Sequence, residues 1–427
     1  MFRVISQIFN KNNKDLRKRI YFTLACLGIF CLGTTITIPW AKEITDNLGF
    51  LEIFNLMSGG GLRSFSIFAL GVSPYITAQI ITQLLQMDIV PYFKELKDQG
   101  YTGRQKINKI TRYLGIIFAF VQAYAIIIFY MKGVSSIAML KTAITMTAGT
   151  AFLLWIGDQI TQKGIGNGQS LLIMAGIVQS MPTIFRDAFK ALVTAGTYTH
   201  TVGSLLFGGF CLLYLIIIVG IIWITLAERR IPIQYANRTS SAYGAKQSFL
   251  PIKINSAGVM PVIFASILTT IPATVVRLFK STAATKFVDK YIVYTTPVGF
   301  IIYIGLIIFF GYFYTFLSMN PEEMSKNLNE NGGYIPGVRP GNETVNYVTK
   351  VLKNLTVVGA LGLAIIAALP ILFGVVTKLS RNISIGGTGM LIVIGVCLET
   401  YKQIESKLVS HTYKKGRRRN RWEVLFL

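Results

Sequence analysis

Gly71-Val72-Ser73-Pro74-Tyr75-Ile76 and Gly258-Val259-Met260-Pro261-Val262-Ile263 are two copies of one pattern: a glycine, a proline three positions on, and an isoleucine two after that. Each sits in a long uncharged hydrophobic stretch, Ser64–Met87 and Ile254–Val276. Proline removes a helix donor and crowds the carbonyl one turn back, and glycine loosens the same turn. Helices broken at matching places in two halves of a chain mark a membrane path between pseudo-symmetric repeats. Ile76 and Ile263 follow the prolines with no carboxylate or cation alongside. An aliphatic narrowing holds ions and sugars poorly, but it serves as a seal.

Outward from these copies, the chain of 427 residues is 52% hydrophobic and only 14% charged. Further uncharged runs cover Ile20–Trp40, Leu114–Met131, Gly164–Phe185, Thr201–Ala227, Tyr291–Pro321 and Asn354–Thr377, and the shorter Thr142–Gly157 and Asn382–Leu398 complete a set of ten spans. A bilayer core takes roughly 20 helical residues to cross. The expected fold is therefore an all-α integral membrane protein. Its N-terminal half is 1–185 and its C-terminal half 202–401, with a basic tail over 402–427. Five spans per half make the halves inverted relative to each other.

The net charge of +24 is distributed unevenly. Thirty of the 42 Lys and Arg fall in the segments that share a side with the two termini. The positive-inside rule places that side, and both termini, in the cytoplasm. The excess reads as orientation plus contact with anionic lipid or an anionic partner, not DNA. Basic Arg17, Lys18 and Arg19 precede the first apolar segment, which is too long for a signal-peptide core and lacks a cleavage site; it reads as a retained anchor. Cys26, Cys31, Cys211 and Cys397 lie inside spans without metal spacing.

Two cytoplasmic stretches, 228–254 and 320–353, are too long for simple turns. The second holds Pro336-Gly337-Val338-Arg339-Pro340-Gly341, where turn residues on both sides hold one guanidinium outward. Such loops serve contacts, or are plain solvated connectors. Ahead of the first repeat, Gly59-Gly60-Gly61 cannot sit comfortably in a spanning helix. The expectation there is a half-inserted element over about 58–70, a short helix after Ser64 as cap, acting as a hinged stopper or as static packing.

Gly164-Ile165-Gly166-Asn167-Gly168 lacks the Lys and Ser/Thr of a phosphate loop and reads as a tight turn. Asp158 and Glu399 sit at span ends, and His200 and His411 lie outside the spans, so neither metal site, cofactor nor catalytic dyad is expected, and no enzyme. Thr77, Gln79, Gln122 and Ser266 give modest polarity to spans two, three and seven, either as ordinary interhelical hydrogen bonds or as an interface weak enough to part. A secondary transporter for a small solute also fits inverted halves, but it requires coordinating polar groups beside Pro74 and Pro261; a docking scaffold is a third reading. The basic run Lys414–Arg421 suits a lipid surface or a ribosome equally.

Phe54–Leu85, Trp155–Ile173, Leu250–Ser266 and Tyr334–Gly341, in that order, make the chain similar to the SecY family of protein-translocation channels, over essentially its whole length. The resemblance implies a clamshell of two five-helix halves around an hourglass pore in the plasma membrane. Its ring would comprise Val72, Ile76, Ile173, Ile263 and Ile392, with Gln169 at a position usually aliphatic. Its plug would be Gly60, Gly61, Leu62, Arg63, Ser64, Phe65, Ser66, Ile67, Phe68, Ala69 and Leu70. It also implies a lateral gate between spans two and seven, where Thr77, Gln79, Gln122 and Ser266 lie. Arg229, Arg230, Arg238 and Arg339 would dock the SecA ATPase and the ribosome. SecE and SecG would be the membrane partners, and signal sequences and unfolded polypeptides the cargo.

Overall fold

The computed structural model describes residues 14–41, 44, 51–86, 90–131, 135–194, 199–235, 248–278, 287–288, 291, 296–377 and 381–423. Each of the ten apolar runs holds a helix. They are α1 (Lys14–Thr35), α3 (Ser73–Leu85), α5 (Tyr101–Tyr130), α6 (Ser136–Lys163), α7 (Gly168–Phe189), α8 (His200–Leu226), α9 (Met260–Leu278), α10 (Pro297–Ser318), α12 (Asn342–Val376) and α13 (Arg381–Glu423). Short helices α2 (Glu52–Met57), α4 (Pro91–Asp98) and α11 (Pro321–Glu330) lie between them, and a π-turn, Lys190–Thr194, extends α7 past residue 185, the expected end of the N-terminal half. Among the described residues, six helices are long and apolar enough to cross a bilayer: α5, α6, α7, α8, α10 and α12. At 13 residues, α3 reaches only about 20 Å, against roughly 30 Å of hydrocarbon.

The two repeated hexapeptides explain that shortness. They begin helices; they do not bend them. Gly71 and Gly258 stand at φ of 57° and 66°, in the left-handed region where a side chain is penalised, so helix cannot continue backward through either. Pro74 then falls in the first turn, where its missing N–H is no loss. Asn255 Nδ2 donates to the Gly258 carbonyl at 2.9 Å and ties the second copy down.

The chain divides into two compact units, Met1–Arg186 with Thr274–Ser281 and Val396–Leu427, and Asp187–Ala273 with Thr282–Gly395. In the first, α3 packs antiparallel on α5, with Thr111 Oγ1 donating to Thr82 Oγ1 at 3.0 Å and Gly115 admitting Tyr75. Arg112 on α5 pairs with Asp158 at the end of α6. The glycine-rich turn after α6 is clasped from two sides: the Ile165 N–H donates to Thr23 Oγ1 and the Gly166 N–H to Gln403 Oε1, both at 3.1 Å. Leu16, Ile165 and Leu408 form a small core beneath the clasp. Burial and the neighbouring Arg19 push the Lys407 ammonium below its usual pKa, with Asp15 opposing them.

In the second unit α8 and α10 pack on α12, with Gly220, Gly311 and Gly362 making room for Ile366, Ala360 and Ile224. The two stretches expected as loops form a three-stranded antiparallel sheet, β2 (Ser248–Lys253), β1 (Glu228–Tyr235), β3 (Gly333–Tyr334) in spatial order. Burial alternates along β1: Ile231 and Ile233 are buried, while Arg230, Pro232 and Gln234 are exposed on the other face; Arg229, opposite the buried Ile252, is exposed near the start of the strand. Ile231, Ile252 and Ile335 pack with Val348, Val351 and Leu352 on the first turns of α12. Leu352 is fully buried there. Leu352→Ala is expected to destabilise this sheet by about 2–5 kcal/mol, seen as protease cleavage within 228–253 under conditions where the parent chain resists.

Candidate functional site

The residues assigned to a pore ring are buried in their own units. Val72, Ile76 and Ile173 are 2–4% exposed in the first, and Ile263 and Ile392 are 2% and 5% exposed in the second. Val72 and Ile76 flank the start of α3, and Ile263 occupies the equivalent place at the start of α9. Within the second unit, Val259 packs against Gly395, so close that a Cβ on the glycine would meet it; this brings the start of α9 against α13 near Ile392.

Gln169 behaves differently from these aliphatics. Its amide turns onto α6, with Nε2 3.5 Å from the Leu154 carbonyl, and Gly157 leaves the room, since a Cβ there would sit 2.7 Å from the amide. Its Oε1 is buried without a hydrogen-bond partner.

Residues 58–72 correct the expectation of a short helix after Ser64. The helix comes earlier, as α2, and residues 58–72 run on from it as a chain of turns. Ser64 caps no helix; its hydroxyl bonds the Gly61 carbonyl at 3.3 Å. The three glycines explain the difference, because Gly59 and Gly60 take φ of 69° and 83° and direct the chain back on itself. Asn55, which the pattern of hydrophobic residues did not single out, organises the turn. Its carbonyl accepts the Gly60 N–H at 2.8 Å and its Oδ1 accepts the Arg63 N–H at 3.1 Å. Gln179 on α7 bonds Thr34 on α1 at 3.0 Å and lies against Gly59. A polar residue beside a glycine run was the only sequence signal for this network.

The residues assigned to a lateral gate fall in three different settings. Thr77 is buried and donates to the Ser73 carbonyl at 3.2 Å. Ser266 is buried, donates to the Val262 carbonyl at 2.8 Å and lies 3.4 Å from the Tyr303 hydroxyl of α10. Gln79 and Gln122 are half-buried, and Gln122 Oε1 has no partner among the described residues. Of the docking arginines, Arg229 and Arg339 are exposed, and Arg230 is exposed in a 2.9 Å pair with Glu228. Gly337 and Gly341 adopt left-handed φ around Arg339, whose carbonyl accepts the Thr344 hydroxyl at 2.9 Å. Arg238 lies outside the described residues. The tail expected over 402–427 continues α13 as helix to Glu423.

Among the described residues no three His, Cys, Asp or Glu gather as a metal-binding group. Two positions either side of Pro74 and Pro261 stand the buried aliphatics Val72, Ile76, Val259 and Ile263, and a small-solute carrier is not favoured. Comparison with known proteins decides the family. The SecY family model matches residues 66–401. A protein translocase subunit SecY from Staphylococcus epidermidis is 44% identical, over 97% of this chain and 99% of its own length.

The chain belongs to the SecY family.

The Bacillus subtilis protein translocase subunit SecY is 42% identical over the same shares of both chains. Among solved structures, a protein-conducting channel matches with a TM-score of 0.68 at 20% identity, covering 92% of this chain and 93% of that one. Sec61 from a canine ribosome–channel complex matches at 0.65 and 18% identity over the same shares. At such identities the likeness is one of fold, and the fold is the mostly helical membrane architecture of SecY and Sec61.

Gln169→Leu removes a buried oxygen that has no partner among the described residues, gives up the long 3.5 Å contact of Nε2 with the Leu154 carbonyl, and keeps packing beside Gly157 of α6. It is expected to raise stability by up to about 1 kcal/mol, read as a higher thermal midpoint of the detergent-purified protein; a lower midpoint shows that the amide is held in place.

Proposed function

We propose that this SecY-family chain is the channel subunit of a protein translocase. It passes unfolded secretory polypeptides across the plasma membrane, with both termini cytoplasmic, and releases hydrophobic segments sideways into lipid. One observation carries the reading. In each unit a left-handed glycine and a proline start a helix, and the aliphatic residue two positions later is buried with no charged group beside it. Val72, Ile76, Ile173, Ile263 and Ile392 form the ring. An aliphatic ring offers no hydrogen bonds, so it retains no particular side chain, and when empty it tends to dewet. Residues 60–70 carry the stopper.

Sideways release depends on the apolar content of the cargo between spans two and seven, at roughly −0.3 to −0.6 kcal/mol for a central Leu against about +3 for a charge. Thr77, Gln79, Gln122 and Ser266 supply the polarity of that gate. The chain contains no nucleotide-binding loop, so the driving force comes from partners: the SecA ATPase or a ribosome docked on Arg229, Arg230, Arg238 and Arg339. SecE and SecG complete the membrane complex, and anionic lipid faces the basic cytoplasmic surface.

Ile76→Gly with Ile263→Gly is expected to raise resting ion conductance of the reconstituted complex several-fold, because a wider, less apolar constriction wets more readily; conductance equal to that of the parent complex removes the seal. Arg339→Glu is expected to slow ATPase-driven export about tenfold or more, the scale of losing a charge-assisted contact, while the amount of assembled complex stays unchanged. Equal loss of export and assembly makes Arg339 structural.

A further inference from the structure

The stopper of the proposed conduit is not one mechanical piece. Phe68 lies between two rings from different helices, Phe30 of α1 and Phe152 of α6, at centroid distances of 6.3 and 6.1 Å and nearly parallel to the first. Two glycines make the notch that admits it. A Cβ on Gly33 of α1 would enter the Phe68 ring, and a Cβ on Gly149 of α6 would strike the Ile67 carbonyl. Backbone pairing adds to the hold: the Ile67 N–H donates to the Ile36 carbonyl and the Ile38 N–H to the Phe65 carbonyl, both at 3.0 Å, around a bridge between Thr37 and Ser66. Ser66, Phe68, Ala69 and Leu70 are all buried.

The chain changes character at Phe65. This residue has φ of 46°, the one non-glycine among the described residues in the left-handed region. A bulky residue persists there only where its surroundings impose the conformation, and relaxation toward extended backbone is downhill once they let go. On its N-terminal side Gly59 and Gly60 are also left-handed, and between them and Phe65 stand the exposed Arg63 and the partly exposed Ser64. Ring stacking, glycine notches and the bridge to the end of α1 hold the C-terminal side. On the N-terminal side Leu62 is buried and the Arg63 carbonyl accepts the Ile44 N–H, but no ring stack or glycine notch from α1 or α6 is present among the described residues.

We infer that Phe68, keyed between α1 and α6 by Gly33 and Gly149, is the positioning residue that fixes residues 66–70, so that stopper movement ends at Phe65. This rests on the conduit reading and adds where the moving part stops. The fixed part then keeps the approach to Gly71, and with it the ring residues Val72 and Ile76, in place while the segment before it swings clear.

Ser64 and Ser66 flank the boundary, and a thiol replaces either hydroxyl with little change in size. Ser64→Cys and Ser66→Cys are placed singly in a chain whose Cys26, Cys31, Cys211 and Cys397 are alanine, and assembled into the complete translocase. Maleimide labelling is compared with and without a stalled secretory chain. Labelling at position 64 is expected to change about tenfold or more on engagement, while position 66 stays within about twofold, as a local opening bounded by a protected element requires. Adding Phe68→Ala is expected to make position 66 change with position 64; Phe68→Leu, a smaller loss of contact, provides the same readout if the alanine variant does not accumulate. If position 66 follows position 64 with Phe68 intact, the anchor is wrong and the conduit stands. If neither position responds, both the anchor and the stopper fail.

Discussion

Hydrocarbon offers the backbone no hydrogen-bond partner, so every peptide group at membrane depth must be satisfied by the chain itself. Most of this chain meets that demand with helix. Among the described stretches that do not, 58–72 and 254–259 each lead into a repeated hexapeptide. Before the first, the Gly60 N–H reaches Asn55, the Ser66 N–H reaches Gly61, the Ile67 N–H crosses to Ile36 and the Gly71 N–H returns to Phe68, all between 2.8 and 3.0 Å. Helices around it come close enough to enclose it only because they carry glycine at the contacts. Gly149 meets Ile67, and Gly176 of α7 meets the Met57 carbonyl; a Cβ at either would displace backbone. Irregular chain inside a helical frame is therefore a joint property of the segment and its three neighbours.

The same economy of contact shapes the cytoplasmic part of the second unit. Arg230 and Arg339 are exposed close in sequence to Ile231 and Ile335, which pack with Ile252 against α12. Along β1, alternation puts Arg230 on the face opposite Ile231 and Ile233. The left-handed glycines on both sides of Arg339 and the Thr344 bond to its carbonyl hold the turn in shape. A guanidinium on a fixed turn meets a carboxylate or phosphate with less entropy to lose than one on a free loop. The clasp on the Gly164–Gly168 turn works similarly, with Thr23 and Gln403 accepting N–H groups that the turn cannot satisfy itself.

Hydropathy made the membrane class, the ten apolar runs and the repeated glycine–proline pattern legible in the chain alone, because each depends on transfer free energy or on local backbone chemistry. Family motifs such as Trp155–Ile173 and Tyr334–Gly341 carried the assignment of ring and docking residues. The run Ser64–Met87 misled in one respect. It is uniformly apolar, yet its first part is turns and only 73–85 is helix, since hydrophobicity does not report which backbone conformation satisfies its hydrogen bonds. The strand pair within 228–253 was visible as alternation at Ile231, Ile233 and Ile252, but two prolines, Pro232 and Pro251, obscured it.

What the sequence determined by itself was therefore where the chain lies in apolar surroundings, where it must turn, and which positions are aliphatic, for these depend on the residues one at a time. Tertiary structure alone decided that α2 precedes the glycine run, that Gln169 spends its amide on α6, and that Phe68 sits in a notch cut by Gly33 and Gly149. Those outcomes depend on which backbone approaches which, over separations of tens of residues or more, and a missing Cβ becomes a binding notch only when a partner arrives to fill it.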